Sequence, residues 1–315
     1  MQHRHHLKTT PSTCHWGFFD GAREPVLQVR SGERVVIDTV SGGPEVQPGS
    51  GFAILPEMAA IHANTERALG PHILTGPIAV EGARPGHVLE VRIHDIRLRQ
   101  DWGYMLIRPL LGTLPQHFDQ ERTVHIPIDR ERRMASLPWG GELRLHPFLG
   151  VMGVAPPRHW QRITSLVPRL HGGNLDNKEL VAGTVLYLPV LVDGALFSCG
   201  DGHAAQGDGE VCLTAIETAL QAELEFVLRD DLSIDFPRAE TPTHLVTMAT
   251  GPDLDLCAEQ ALVRMIALLG ETAGLVPEDA YMLCSIAGDL HITQTVNQHK
   301  GVHMMLGKHA LPVRV

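Results

Sequence analysis

Glycine and proline punctuate this chain so closely that, from about residue 25 to residue 250, it reads as short strands joined by turns. There are 31 glycines and 22 prolines in 315 residues, and they gather at residues 41–44, 48–51, 70–77 and 150–157. Proline lacks the N–H that a helix or a central strand requires, and glycine reaches positive φ at little cost, so these clusters connect strands. Between them the side chains alternate. Residues 25–40 alternate apolar and polar on both sides of Ser31-Gly32, the pattern of a hairpin. The same phrase returns at 83–96 and 181–190, each time with a glycine just ahead of an alternating run. Three such recurrences hint at repeated β units without establishing an internal duplication. Residues 223–229 and 244–249 are further expected strands, and the charged stretch 129–134 is an expected solvated turn.

Helical periodicity is clear only late. From Asp253 to Leu269 the residues Leu254, Cys257, Ala258, Ala261, Leu262, Met265, Ile266 and Leu269 share one side, with Asp253 as N-cap and an end near Gly270 or Gly274. A second helix is expected from Pro277-Glu-Asp through Ile286, since proline and acids suit a first turn. Strands first and helices last give an α+β class, mostly β.

The apolar share of 43% is ample for a core at this length. No run approaches the roughly 18 apolar residues of a membrane span, and residues 1–20 lack the apolar centre of a signal peptide, so a cytoplasmic location is expected. Five widely spaced cysteines with no CxxC pair suggest neither a disulfide framework nor a thiolate zinc site. A net charge of −10 argues against nucleic acid or an anionic membrane as partner and suits a small neutral or cationic substrate. Nineteen histidines are conspicuous, although His3, His5 and His6 stand in a polar start that is expected to fray and to hold metal only adventitiously.

The densest polar constellation is GDGHAAQGDGE, residues 200–210, set between the apolar runs 186–192 and 211–216. On extended backbone, Asp201 and His203 project to one face. Gly200, Gly202, Gly207 and Gly209 permit turns that bring Glu210 back to the same pocket. Two carboxylates and an imidazole are the ligand types of a divalent metal site with one position left to water, whose pKa the ion lowers to about 7. Glu210 is then the candidate base or proton shuttle. The bland alternative is a glycine-rich surface hairpin with solvated acids. A second cluster, HGGNLDNK at 171–178, would present Asn174 and Asp176 on one side if extended, yet such residues are also ordinary turn formers. His15, beside Trp16, either lines a pocket or packs. His62 and His72, on either side of Gly70, either reach a site or serve as hydrogen-bonded structure. Cys199 adjoins carboxylates, which raise a thiol pKa and disfavour a nucleophile. No GxSxG elbow, P-loop or GxGxxG fingerprint is present.

With these residues in hand, the chain resembles the acetamidase/formamidase family. The phrases that carry the resemblance are HWGFFD (15–20), GPHILTGPIAVEGARPGHVLEVRI (70–93), HPFLGVMGVAPP (146–157), HGGNLDNKEL (171–180), LYLPVLVDGALFSCGDGHAAQGDGEV (186–211) and PRAETPTH (237–244). One departure is His87, where the family often has an acid. The resemblance implies hydrolysis of short amides such as formamide or acetamide to carboxylate and ammonia, by a homo-oligomer. It also implies a β-rich fold of two similar sandwich-like halves with helical additions. The expectation is a single catalytic unit over 1–315, with approximate halves 15–157 and 158–315, the second carrying the helices and the main site. It sets Asn174 and Asp176 beside Asp201, His203 and Glu210. The working assignment has a divalent ion held by Asp176, Asp201 and His203, zinc first, with calcium or magnesium left open by oxygen ligands. Glu210 and Gln206 are the catalytic candidates, and Asn174 and His15 the substrate-binding ones. Gln206 and Asn174 would orient the amide or stabilise the tetrahedral oxyanion. Two alternatives stand beside it: a metal-free carboxylate amidase, and a β-sandwich binding protein with a structural ion.

Overall fold

A computed structural model describes residues 4–312. Two large sheets face one another across the main core, one of nine strands and one of eleven, with a two-stranded ribbon beside them. Each sheet draws strands from both halves of the sequence. In the nine-stranded sheet Glu33–Asp38, Leu220–Arg229, Val88–Leu98 and Val185–Pro189 lie side by side. The halves 15–157 and 158–315 therefore interlock. Leu89, Val91, Ile93, Leu149, Met152, Phe197, Leu220, Leu224 and Phe226 fill the layer between the sheets.

The three recurring glycine phrases all lead into this nine-stranded sheet. Gly32, Gly86 and Gly183 have φ of 86°, 95° and 96°, values a β-carbon disfavours. The expected hairpin at 25–40 does not form, however. Leu27–Val29 pairs in parallel with Ile73–Val80 in one sheet, whereas Glu33–Asp38 pairs with Leu220–Arg229 in the other. The turn at Ser31-Gly32 is thus a corner between sheets. Local alternation marks both strands but cannot name their partners, because burial on one face is satisfied equally by either pairing.

The N-terminal histidines also differ from expectation. Arg4–Leu7 is a strand parallel to Glu33–Asp38, with His5 Nε2 3.1 Å from Glu33 Oε2 and His6 Nε2 3.1 Å from Asp38 Oδ2. His3 lies outside the described residues.

The expected late helices are present as Leu254–Ala273 and Pro277–Ala287. Asp253 caps the first by accepting from Leu256 N at 3.0 Å, and Gly274 ends it at φ 71°. Cys257, Ala261, Met265 and Leu269 bury against Leu245, Ala249, Val302 and Met304 of the nine-stranded sheet, forming a second core. A short helix, Met58–Asn64, leaves no periodic stripe in the sequence because seven residues hold too few turns. Residues 129–134 form the expected exposed turn between Arg122–Asp129 and Met134–Ser136. Among the described residues no helix is long and apolar enough to cross a membrane. All five cysteines are free thiols.

Candidate active site

The strand Phe197–His203 is the spine of the site. One edge pairs with Phe148–Gly153 on both sides of Asp201. The other pairs first with Ile73–Val80 and then with Glu217–Thr218, and Asp201 sits where the partner changes. Gly200 and Gly202 are needed there for close approach. A β-carbon on the first would lie 2.4 Å from Ile73 O, and on the second 2.4 Å from Thr218 O. Asp201 and His203 reach one cluster, though not by simple alternation, since Asp201 has φ 57°.

Asp176 (φ 46°) and Glu210 (φ 45°) share that left-handed conformation. Three acids of one cluster thus hold a backbone state that costs on the order of 1–3 kcal/mol each, a concentration expected where geometry serves chemistry. The hydrogen bond from Asp176 N to Gly150 O, 3.0 Å, holds the 172–176 segment against Phe148–Gly153.

His203 Nε2 is the hub. It lies 3.2 Å from Glu217 Oε1, 3.3 Å from Asp201 Oδ2, 3.8 Å from Asp176 Oδ1 and 4.0 Å from Glu210 Oε1, and all five side chains are buried. These are ionic contacts without hydrogen-bond alignment. His203 Nε2, Asp176 Oδ1, Glu210 Oε2 and the neighbouring Asn174 Oδ1 are all buried and have no hydrogen-bond partner among the described residues. The centre fits a cation: Asp176, His203 and Glu210, and likewise Asp201, His203 and Glu217, each offer donor atoms within 4.8 Å of one another. Gly150 forms its floor. A β-carbon there would stand 2.5 Å from Asp176 Oδ1, 2.7 Å from Asp201 Oδ2 and 2.8 Å from His203 Cε1.

Gln206 fixes the imidazole from behind. Its Nε2 donates to Asp176 O at 2.7 Å, which turns Oε1 toward His203 Nδ1 at 2.8 Å. His203 Nδ1 must then carry a proton, leaving Nε2 to face the carboxylates. A lone pair aimed at four buried acids is repulsive unless a proton or a metal ion lies between them.

The ionisation states follow from this crowding. Burial lowers the affinity of His203 for a proton, but Glu217 and Asp201 outweigh it, so the imidazole is held well above its usual range. Burial alone would raise Asp201, yet His72 and His203 hold it well below the carboxylate range. Burial pushes Asp176 up to about 7 and Glu217 up to about 8, and Glu210 is raised well above normal by burial and by Asp176.

A cavity of about 220 Å³ opens on the cluster. Asn174, Asp176, Asp201, Glu210, Glu217, His72 and Asn297 give it polar walls, and Val46, Leu106, Leu166 and Leu213 apolar ones. Four of the seven residues assigned from sequence therefore line it, and His203 lies directly behind. Two do not serve as expected. Gln206 does not line this cavity, and its Nε2 already donates to Asp176 O at 2.7 Å and Thr293 O at 3.4 Å, so it has no N–H aimed at a substrate or an oxyanion there. His15 is 3% exposed, pairs opposite Leu74, packs its ring 5.1 Å from Phe18 and does not line the cavity. Burial, assisted by Arg23, pushes its pKa down to about 3, so it is a neutral core imidazole.

Three contributors were not assigned from sequence. Glu217 follows the apolar stretch 211–216, and an acid leading into a buried strand was the available signal. Asn297, whose Nδ2 donates to Asp176 Oδ2, lies 121 positions away and gives no local signal. His72 is both structural and part of the site, with Nδ1 2.9 Å from Ser165 Oγ and Nε2 3.6 Å from Asp201 Oδ2. Cys199 is an inert core thiol, pushed up chiefly by burial rather than by the carboxylates.

Fold and site together define a β-rich protein with a buried carboxylate and imidazole centre under a small cavity. The sequence profile of the acetamidase/formamidase family matches residues 24–165 and 160–308, and the chain belongs to that family. It is similar to the formamidase of Methylophilus methylotrophus, 28% identical over 216 residues, 51% of this chain and 52% of that protein. It is also similar to the acetamidase of Mycolicibacterium smegmatis, 30% identical over 198 residues, 44% of this chain and 49% of that protein. The matched stretches thus span about half the length of these relatives. The crystal structure of an acetamidase from Bacillus halodurans superposes with a TM-score of 0.83 at 34% identity, covering 96% of this chain and 97% of that one.

Proposed function

We propose that the protein hydrolyses the C–N bond of short aliphatic amides, giving carboxylate and ammonia, at a divalent metal centre held by Asp176, Asp201 and His203. Zinc is the first choice for a site of mixed carboxylate and imidazole donors, and calcium or magnesium are the oxygen-preferring alternatives. The carrying observation is the convergence of His203 Nε2 on four buried carboxylates, with orphaned donor atoms on Asp176, Glu210 and His203. Kinship with formamidases and acetamidases supports the choice of substrate.

An ion bound there would polarise the amide carbonyl and acidify an adjacent water. The remaining work falls to the protein. Glu210, buried beside the cavity with its proton affinity raised, is suited to take a proton from the attacking water and return it to the departing nitrogen. Asn174 uses Nδ2 to donate to Leu166 O at 3.1 Å, leaving Oδ1 to accept an N–H of the substrate amide. Gln206 keeps His203 in one tautomer, and Asn297 orients Asp176. At ~30 Å³ for each water displaced, the 220 Å³ cavity holds an amide of four non-hydrogen atoms with solvent to spare.

The test is ammonia release from formamide, acetamide and propionamide by protein as purified, after chelation, and after zinc is restored. The expected result is activity that disappears with the metal and returns with it. Turnover that survives complete metal removal refutes the metal assignment, and no ammonia in any state refutes the amidase reading.

A further inference from the structure

A second group of ligand-type side chains lies outside this centre. Asp208, His291 and His303 each offer a donor atom within 4.8 Å of the other two. The histidines are cross-strand partners on the antiparallel strands Gly288–Asn297 and His299–Gly307. Their rings stack 4.9 Å apart and 7° from parallel. Asp208 approaches from the loop between His203 and Glu210, with Oδ2 2.9 Å from His291 Nδ1.

His303 carries the argument. Its side chain is wholly buried, and Nδ1 is 2.7 Å from Thr293 Oγ1, but Nε2 has no hydrogen-bond partner among the described residues. Buried polar atoms are nearly always paired, so an orphan beside a histidine and a carboxylate needs a reason. A metal-binding histidine usually donates its other ring N–H to an acceptor such as a carboxylate, carbonyl or water, and the Thr293 hydroxyl can be that acceptor for His303 Nδ1. Lys178 Nζ lies 3.4 Å from Asp208 Oδ1 and is also 2.7 Å from Glu179. Asp208 thus has Oδ1 beside Lys178 and Oδ2 beside His291 Nδ1, where an ion would take the place of the shared proton, but neither contact reaches His303 Nε2.

We propose that Asp208, His291 and His303 form a second binding site for a divalent transition ion of the zinc class, with water completing the shell. Two imidazoles and one carboxylate match that ion's donor preference better than they match calcium or magnesium. The Asp208 side chain is 38% exposed, which gives the ion a path from solvent. The ion would clip the strand pair 288–307 to the loop that carries Gln206 and Glu210. The two segments already meet, through Gly209 N to Thr293 O at 3.2 Å and Thr295 N to Gly209 O at 3.0 Å. The site is independent of the amidase reading, since it could bind an ion whether or not the first centre is catalytic.

The experiment compares wild type, His291→Ala and Asp208→Asn after chelation and dialysis against zinc chloride. Zinc per chain is read by elemental analysis and thermal unfolding with and without zinc by calorimetry. The asparagine is isosteric and sits on an exposed loop, so at least one variant should fold. The expected result is one zinc fewer per chain in each folded variant, with a smaller rise of Tm on adding zinc. Asp201→Asn should instead lower occupancy of the first centre and leave this increment intact. Equal zinc content in wild type and the folded variants, or no zinc in wild type, overturns the proposal.

Discussion

Replacing Gly150 with alanine is the sharpest probe of the acidic centre, because it adds one methyl group where three of its members converge. No positive φ constrains this glycine, which lies within a strand, so the substitution carries no backbone penalty and its effect is steric. The new carbon would begin 2.5 Å from Asp176 Oδ1 and 2.7 Å from Asp201 Oδ2, against an ordinary contact of 3.4 Å or more. Both acids, or the strand that carries residue 150, must therefore give by about 0.7–0.9 Å. Productive geometry tolerates ~0.5 Å, and a 1 Å misplacement costs on the order of 10²-fold, or about 2.7 kcal/mol of barrier. Overpacking a close-packed interior adds about 1–3 kcal/mol of destabilisation, a Tm loss of several degrees in a chain of this size. The assay is kcat/KM for ammonia release together with metal content and thermal unfolding. Gly49→Ala, where a β-carbon meets nothing within 4 Å, is the control. A Gly150→Ala protein that keeps its metal and turns over within threefold of wild type would show that the cluster is not the reacting centre.

Further outcomes follow from the same geometry. Glu210→Gln should fold and lower kcat by about 10²–10⁴-fold if Glu210 moves the proton, checked by single-turnover ammonia release beside circular dichroism. Gln206→Leu should weaken metal affinity by about 10–100-fold by freeing the His203 tautomer, measured by competition with a chromogenic chelator; unchanged affinity would remove its positioning role. His15→Gln should leave KM unchanged, since the ring does not face the cavity, and a large rise in KM would return it to the site. Metal uptake should release protons. Burial pushes Asp176 up to about 7, and His203 is held above its usual range by Glu217 and Asp201, so these two ligands compete for protons with the cation. Affinity should therefore fall as pH falls, and calorimetry in buffers of different ionisation enthalpy should show at least one proton leaving.

Much of the architecture was legible in the residues themselves. The glycine phrases at Gly32, Gly86 and Gly183 mark strand starts because only glycine takes those positive φ values comfortably, a local constraint that leaves a local trace. Asp253 and Gly274 mark helix ends for the same kind of reason. Asp201, His203 and Glu210 stood out because polar residues were packed between apolar runs, and Asp176 joined them through the family phrase.

What sequence could not supply is what depends on distant partners. Residues 25–40 display two alternating strands, but only the folded chain shows that they part into different sheets. His15 and His72 are both lone histidines in β-rich text, and only burial and neighbours make one a core ring and the other a contact of Asp201. Gln206 reads as a substrate ligand from its place in the motif, until His203 and Asp176 are found to occupy both ends of its amide. Asn297 reaches Asp176 across 121 positions. The residues alone disclose the two late helices, the strand entries at Gly32, Gly86 and Gly183 and the chemical types at the centre, since these follow from periodicity, φ preference and donor chemistry. Tertiary structure alone decided which of those donors face the cavity and which stand behind, because convergence on one point is a property of packed sheets, and no local pattern encodes it.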